Sequence, residues 1–475
     1  VWPSNTEVAL TAMGYAAMNQ SGSDYSAVAI LGMGATGLSV ADFLTRRGID
    51  FMFADTRSAP PGLDVVRQRY PEIRTMLGEF DDRAYEMLET VVVSPGVALD
   101  EPMLQSARAK DIRLIGDAEL FFEQVNAPVI AITGSNGKST VTTLVGEMAR
   151  RSGLNAGVGG NLGTPMLNLL SAERRLYVLE MSSFQLELFQ SSKGAVSGLL
   201  NISPDHLDRY PDIDEYHAAK QRIFKDAACA VVNRQDPLTY PLADDDLSII
   251  SFGTDGPSGD NFGLLTENHE TWLVGGGEHL MLQSQLAMQG RPNIANALAA
   301  LALGHSAGLP MAAMLATLKE FKGLPHRCEK IASIDEVLYI DDSKATNVGA
   351  ACAAIDGFSN ATEKNVVLIA GGRTKGQDFS DLIVRAAASV RLCLLIGEAS
   401  QELAKLLDGR VPTHICGDLS AAVGVAHAQS HPGDVVLLSP ACASFDMFTD
   451  FADRGRCFRT AVESINVRLA ASEAQ

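Results

Sequence analysis

The apolar run Val129-Ile130-Ala131-Ile132-Thr133 leads directly into Gly134-Ser135-Asn136-Gly137-Lys138-Ser139, and a helical pattern follows to about Arg151. A short apolar run, a glycine turn and a helix in that order leave few folds open. The natural one is a buried parallel strand feeding a crossover helix in an α/β sheet. The turn also carries chemistry. Glycines let backbone N–H groups close on phosphate oxygens, and a helix N-terminus favours negative charge. Lys138 is spaced to reach the β- and γ-phosphates of a nucleotide, and Ser139 or Thr140 to ligate Mg²⁺. A full-length phosphate loop would place its first glycine at position 132, where Ile132 stands, so this loop is a shortened Gly-x-x-Gly-Lys-Ser.

The same grammar occurs nearer the start. An apolar run over 27–31 enters Gly32-Met33-Gly34-Ala35-Thr36-Gly37, a helix pattern spans about 38–47, and a second strand over 49–54 ends at Asp55. Glycines and acid together match the dinucleotide fingerprint. Such a turn binds a pyrophosphate whichever nucleotide carries it. The residues therefore leave open an NAD-dependent oxidoreductase, a site for a UDP-linked sugar, or a turn with no ligand. Arg57 stands two residues beyond the acid, a cation for uracil or phosphate.

Further strands are expected at 91–93, 176–179 and 196–200, a small antiparallel excursion within 244–277, and helices at 293–307 and 311–321. After a break at Gly323-Leu324-Pro325, strands at 337–340, 366–370, 392–396 and 435–438 alternate with helices. The expected architecture is α/β with three domains. A Rossmann-like domain at 27–126 is followed by a central phosphate-loop parallel sheet at 127–325 and a Rossmann-like α/β domain at 326–475. Residues 1–26 lack a basic start followed by an apolar core and are read as a poorly ordered extension. Linkers near Asn126 and Gly323 are hinge candidates.

A net charge of −19 argues against a general binder of nucleic acid or membrane surface, which needs a basic footprint. No apolar run reaches the ~18 residues of a membrane span. Seven scattered cysteines without a Cys-x-x-Cys pair suit reduced thiols in a cytoplasmic protein.

Other candidates stand at strand ends. Glu180 would face phosphates from the carboxyl edge of the 176–179 strand. His206 reads from the residues alone as a loop or core histidine, because Mg²⁺ prefers oxygen. Arg327 and Lys344 are cations able to neutralise phosphate across a cleft. Their bland alternatives are an interdomain salt bridge and a helix capped by Asp342 or Ser343.

Taken in order, several segments resemble the Mur ligase family over about residues 27–469. They are 133–140, Gly157-Val158-Gly159-Gly160-Asn161, Glu180-Met181-Ser182-Ser183-Phe184-Gln185-Leu186-Glu187, Asp205-His206-Leu207-Asp208-Arg209-Tyr210, Leu324-Pro325-His326-Arg327, Asp342-Ser343-Lys344-Ala345-Thr346-Asn347 and Ser439-Pro440-Ala441-Cys442-Ala443-Ser444-Phe445-Asp446. The 180–187 and 439–446 segments resemble the members that add D-glutamate.

The resemblance implies UDP-substrate, ATP and amino-acid domains in that order. It implies a cytoplasmic, monomeric ligase joining UDP-N-acetylmuramoyl-L-alanine to D-glutamate with ATP and Mg²⁺; a Mur ligase for another amino acid is the nearest alternative. Within it, Gly134, Ser135, Asn136, Gly137, Lys138, Ser139, Thr140, Asn293, Arg327 and Asp342 would bind ATP. Ser139, Thr140, Glu180, His206 and Lys220, the last as a carbamate, would serve Mg²⁺. Thr36, Thr56, Arg57, Gly96 and Asn161 would hold the UDP substrate, and Lys344, Thr346, Lys375, Ser444 and Phe451 the D-glutamate. Lys138, Lys220, His206 and Arg327 would be the catalytic set. Without the resemblance, Lys220 reads as a charge on a helix surface.

Overall fold

Each third of the chain builds a sheet of its own. The computed structural model describes residues 28–78, 82–206, 209–242, 246–288, 290–360, 363–374 and 376–473, with backbone alone at 82–84 and 466–473.

The first sheet has five parallel strands in the spatial order Thr75–Leu77, Phe51–Asp55, Val28–Leu31, Thr90–Val93, Arg113–Ile115. The chain winds one way from the buried Val28–Leu31 strand and then returns to its other side. That reversal opens a crevice at the strands' carboxyl ends. The helix Ala35–Arg47 starts directly after Gly34, three residues earlier than its apolar pattern suggests. Gly37 makes that start possible: a Cβ there would lie 2.0 Å from the Gly32 carbonyl oxygen.

The second sheet has nine strands. Ala156–Gly160, Leu176–Glu180, Val129–Thr133, Val196–Leu199, Cys229–Asn233 and Ser248–Phe252 run parallel. Phe262–Glu267, Glu270–Gly275 and Glu278–Leu282 then extend the edge as an antiparallel meander. The expected excursion is therefore antiparallel only from the pairing of Phe262–Glu267 with Glu270–Gly275 on, because Ser248–Phe252 pairs parallel with Cys229–Asn233 and, at Phe252, with Phe262. The third sheet is parallel except for its edge strand Glu329–Ile334, which pairs antiparallel with Val337–Asp341.

The cores are not divided as the sheets are. One continuous apolar cluster contains Ile30 and Phe53 of the first sheet together with Ala131, Tyr177 and Leu199 of the second. Val125 and Ala127 lie inside it, which speaks against a hinge at Asn126. The third sheet packs its two faces on separate clusters of its own. Gly323, just before it, has φ +96°, a conformation that favours glycine. Among the described residues, no helix is long and apolar enough to cross a membrane.

Candidate active site

The phosphate loop lies at the carboxyl end of Val129–Thr133 and feeds the helix Lys138–Arg151. Both of its glycines have positive φ, +151° at Gly134 and +84° at Gly137. A Cβ on Gly137 would fall 2.4 Å from Asn296 Oδ1, so the helix Arg291–Ser306 presses on the loop. Asn293, buried in that helix's first turn, is one turn from Asn296. Sequence reasoning missed Asn296; the only signal was its i+3 spacing from Asn293.

A neighbouring loop is bonded tightly to this one. Ser135 Oγ donates to Ser203 O at 3.0 Å, and Asn136 N donates to Asn201 Oδ1 at 2.8 Å. Lys138 Nζ donates to the Gly134 and Ser135 carbonyls at 2.7 and 2.9 Å. Burial lowers the Lys138 ammonium from its ordinary range, against the pull of Glu180 and Asp205. Ser139 and Thr140 are buried behind the loop.

Lys220 is the largest departure from a local reading. It sits on the helix Ile213–Gln221 and is 1% exposed, not a surface charge. Its Nζ donates to Gly134 O at 2.9 Å and Thr133 Oγ1 at 3.3 Å, and lies 4.8 Å from the Tyr216 ring centre. Desolvation, reinforced by Lys138, pushes its pKa well below the usual lysine range. Burial of this kind favours the uncharged amine over the ammonium.

Glu180 ends its strand with the carboxylate buried. Asn161 Nδ2 donates to Oε1 at 2.6 Å, while Oε2 has no hydrogen-bond partner. A buried, unpartnered carboxylate oxygen beside a phosphate loop fits the oxygen preference of Mg²⁺. His206 is on a loop, at φ +56°, its side chain 39% exposed and its ring edge-on to Phe184.

On the first sheet, Thr36 lies in the first turn of the helix Ala35–Arg47, Thr56 and Arg57 follow Phe51–Asp55, and Gly96 follows Thr90–Val93. All four lie at the crevice. Arg57, however, folds back on Asp55 through Nε at 2.8 Å and Nη2 at 2.9 Å. Burial alone would raise the Asp55 carboxyl, but the Arg57 bonds outweigh it and hold it below its ordinary value. The fingerprint acid is thus already paired. Arg209, to which no role was given, donates to Val97 O and Glu187 Oε2, both at 2.8 Å, and so ties the Gly96 loop to the central sheet.

The third sheet leans over this ground. Arg327 Nη2 donates to Ser139 Oγ at 2.8 Å, an interdomain hydrogen bond rather than a salt bridge. Neither Asp342 nor Ser343 caps a helix. Asn347 caps Val348–Phe358, accepting from Ala350 N at 2.8 Å. Asp342 instead accepts from Cys328 N at 3.1 Å and Ser439 Oγ at 2.9 Å, and burial raises its pKa to about 7. Lys344 Nζ lies 4.3 Å from the Phe451 ring centre, Thr346 is half-buried and Ser444 buried. The buried Arg454 was also missed. It donates to Ser343 Oγ, Ser343 O and Cys442 O and fastens these loops together. Lys375 lies outside the described residues. Between the sheets a cleft of about 310 Å³ opens, lined by Asp205, His206, Gly349, Cys352 and Gln377 among others.

Three linked α/β units with a phosphate loop under an interdomain arginine define a nucleotide-using enzyme of the phosphate-loop class. Family descriptions match in order: Mur ligase MurD-like, N-terminal domain, over residues 26–116; Mur ligase middle domain over 132–304; and Mur ligase, glutamate ligase domain, over 326–442. The chain belongs to the Mur ligase family. The UDP-N-acetylmuramoylalanine–D-glutamate ligase of Marinobacter nauticus is 48% identical over 92% of this chain and 98% of its own length. Its namesake from Pseudomonas aeruginosa is 47% identical over 92% and 97%. Among solved structures, a pseudomurein peptide ligase type C from Methanothermus fervidus superposes with TM-score 0.59 at 18% identity, covering 92% of this chain and 99% of that one. The UDP-N-acetylmuramate-alanine ligase of Thermotoga maritima gives 0.55 at 20% identity, covering 92% and 99%. These two share the fold.

Proposed function

We propose that this protein forms the amide between UDP-N-acetylmuramoyl-L-alanine and D-glutamate, with ATP converted to ADP and phosphate, in cytoplasmic peptidoglycan precursor synthesis. The observation that carries the reading is Arg327 of the third unit donating to Ser139 of the phosphate loop. It supports a reading in which the third unit brings the amino acid to the γ-phosphate of ATP. The choice of D-glutamate rests on near-half identity, over nearly full length, to ligases of that name.

A carboxylate does not condense with an amine at neutral pH. Transfer of the γ-phosphoryl group to the alanine carboxylate gives an acyl phosphate, whose phosphate is a good leaving group. Lys138 and Arg327 spread the charge of that transfer, so catalysis is mostly positioning and electrostatics. The D-glutamate amine then attacks the acyl carbon, loses a proton, and phosphate departs as the tetrahedral centre collapses. Closure of the third unit keeps water from the acyl phosphate. Ser139, Thr140, Glu180 and His206 are the groups that would hold Mg²⁺, which supplies charge neutralisation at the phosphates when bound. A carbamate formed when the Lys220 amine adds to CO₂ would contribute an anionic oxygen. The buried, deprotonation-prone Nζ supports that modification.

The Gly96 crevice takes the UDP end, through Thr36, Thr56, Arg57 and, from the central sheet, Asn161. Asn293 and Asp342 serve ATP. Lys344, Thr346, Lys375, Ser444 and Phe451 hold D-glutamate. Asp55, the fingerprint acid, is paired with Arg57 rather than turned to a nicotinamide dinucleotide's ribose, which disfavours the oxidoreductase reading.

The test is ADP release with ATP, Mg²⁺ and the UDP-muramoyl-alanine, across a panel of amino acids. Release should depend on D-glutamate and fall roughly 10²-fold or more in Arg327→Lys, which cannot reproduce the guanidinium fork. Release stimulated equally by other amino acids would defeat the assignment.

A further inference from the structure

We infer that Asn347 is a positioning residue that latches the third unit onto the phosphate loop, and that the closed arrangement depends on it. Its side chain works in two directions. Oδ1 accepts from Ala350 N at 2.8 Å and caps the helix Val348–Phe358 within its own unit. Nδ2 points the other way, donating to Asp205 Oδ2 at 3.0 Å and lying 3.5 Å from Asn136 Oδ1 in the phosphate loop.

The receiving surface is itself bonded to the nucleotide site. Asn136 Nδ2 reaches Ser203 Oγ at 3.3 Å, and Ser203 N donates to Ser135 Oγ at 2.9 Å. Residues 203–206 and the phosphate loop therefore present one rigid edge. The approach to that edge is close: a Cβ on Gly349 would lie 2.6 Å from Ser203 Oγ and 2.8 Å from Ser203 Cβ. Gly349 has an ordinary helical conformation, so its missing side chain serves contact rather than backbone freedom. A helix start that needs one side chain for its cap and a bare glycine for its approach is shaped for docking. Through Asn136 and Asp205, the docked position is read by the loop that holds the phosphates and by the neighbour of His206.

The inference predicts an unusual separation of stability from closure. In Asn347→Asp the cap survives, since Asp caps as well as Asn. The donor is lost, however, and a carboxylate then faces the Asp205 carboxylate. In Gly349→Ala the helix gains a better helix former, while its Cβ obstructs the seam. Small-angle X-ray scattering of the full chain, saturated with a non-hydrolysable ATP analogue and Mg²⁺, reads the interdomain spacing directly. Both variants should give a larger radius of gyration than the parent. Their melting temperatures should be unchanged for Asn347→Asp and unchanged or higher for Gly349→Ala, with analogue affinity retained. Turnover in the ligase assay should fall about tenfold or more, the scale of a lost charge-assisted bond. Scattering profiles identical to the parent's in both variants would overturn the latch. The turnover readout rests on the proposed ligase function. If the parent itself shows no D-glutamate-dependent ADP release, that reading fails while scattering still decides the latch.

Discussion

At the scale of single residues, this protein is governed by burial of groups that ordinarily seek water. Lys220 and Glu180 are almost wholly enclosed: burial pushes the lysine's pKa well below its ordinary range, and one carboxylate oxygen of the glutamate has no hydrogen-bond partner. Asp117 is a buried group of another kind. It accepts from Gln185 Nε2 at 3.0 Å through Oδ2, but its Oδ1 has no partner, and burial raises its pKa to about 6 against the pull of Gln185. The folded protein therefore holds this proton more tightly than the unfolded chain, whose value is near 3.8. Stability from Asp117 is fully present below about pH 4 and declines as pH rises to about 6. In Asp117→Asn that decline should vanish. The difference in melting temperature between parent and variant, followed from pH 4 to 8, should drift by a few degrees across this window and then level off. A flat difference would show that Asp117 does not titrate there.

At the scale of elements, glycine turns decide where helices start. The helix Ala35–Arg47 begins inside its own phosphate-type turn because Gly37 admits the Gly32 carbonyl. The apolar periodicity marks only its later turns, so pattern reading starts it at 38. Gly37→Ala would force a Cβ against that oxygen and should cost about 1–3 kcal/mol, as read by urea denaturation. An unchanged midpoint would mean that the turn can relax away. Edge elements were hardest to foresee. Thr75–Leu77 and Arg113–Ile115 are three residues each and only partly buried, and Glu329–Ile334 has one buried position. None has the continuous apolar run of an interior parallel strand. The central strands Val129–Thr133, Leu176–Glu180 and Val366–Gly371 have that run, are fully buried, and were legible at once.

For the whole molecule, the distribution of apolar clusters matters more than the number of sheets. The first two sheets share one cluster, whereas the third has its own. The first and second units should therefore melt together and the third apart. Differential scanning calorimetry should resolve two transitions, with Gly37→Ala lowering only one. A single transition shifted as a whole would contradict this. The same division leaves the third unit with a core separate from the other two. It meets the phosphate loop through polar contacts, Arg327 to Ser139 and Asn347 to Asp205, which exchange readily with water.

The strand–turn–helix units around both glycine turns, the shortened phosphate loop and the pyrophosphate-type turn were determined by the sequence alone, because each rests on periodicity or glycine spacing within some twenty residues; the strands Ala156–Gly160 and Cys229–Asn233 were not foreseen. Contacts across the chain were decided only by the tertiary structure. Arg327 and Ser139 are 188 residues apart, Asn347 and Asp205 142, and Lys220 and Gly134 86. Local sequence shows which groups are present, but not which are brought out of water together, and that shared burial sets the environment of Lys220 and Glu180 and lets a cap residue act as a latch. Even Asp55 and Arg57, two residues apart, needed the fold: local sequence sets a cation near the acid, and only the turn of the backbone closes the two into an ion pair.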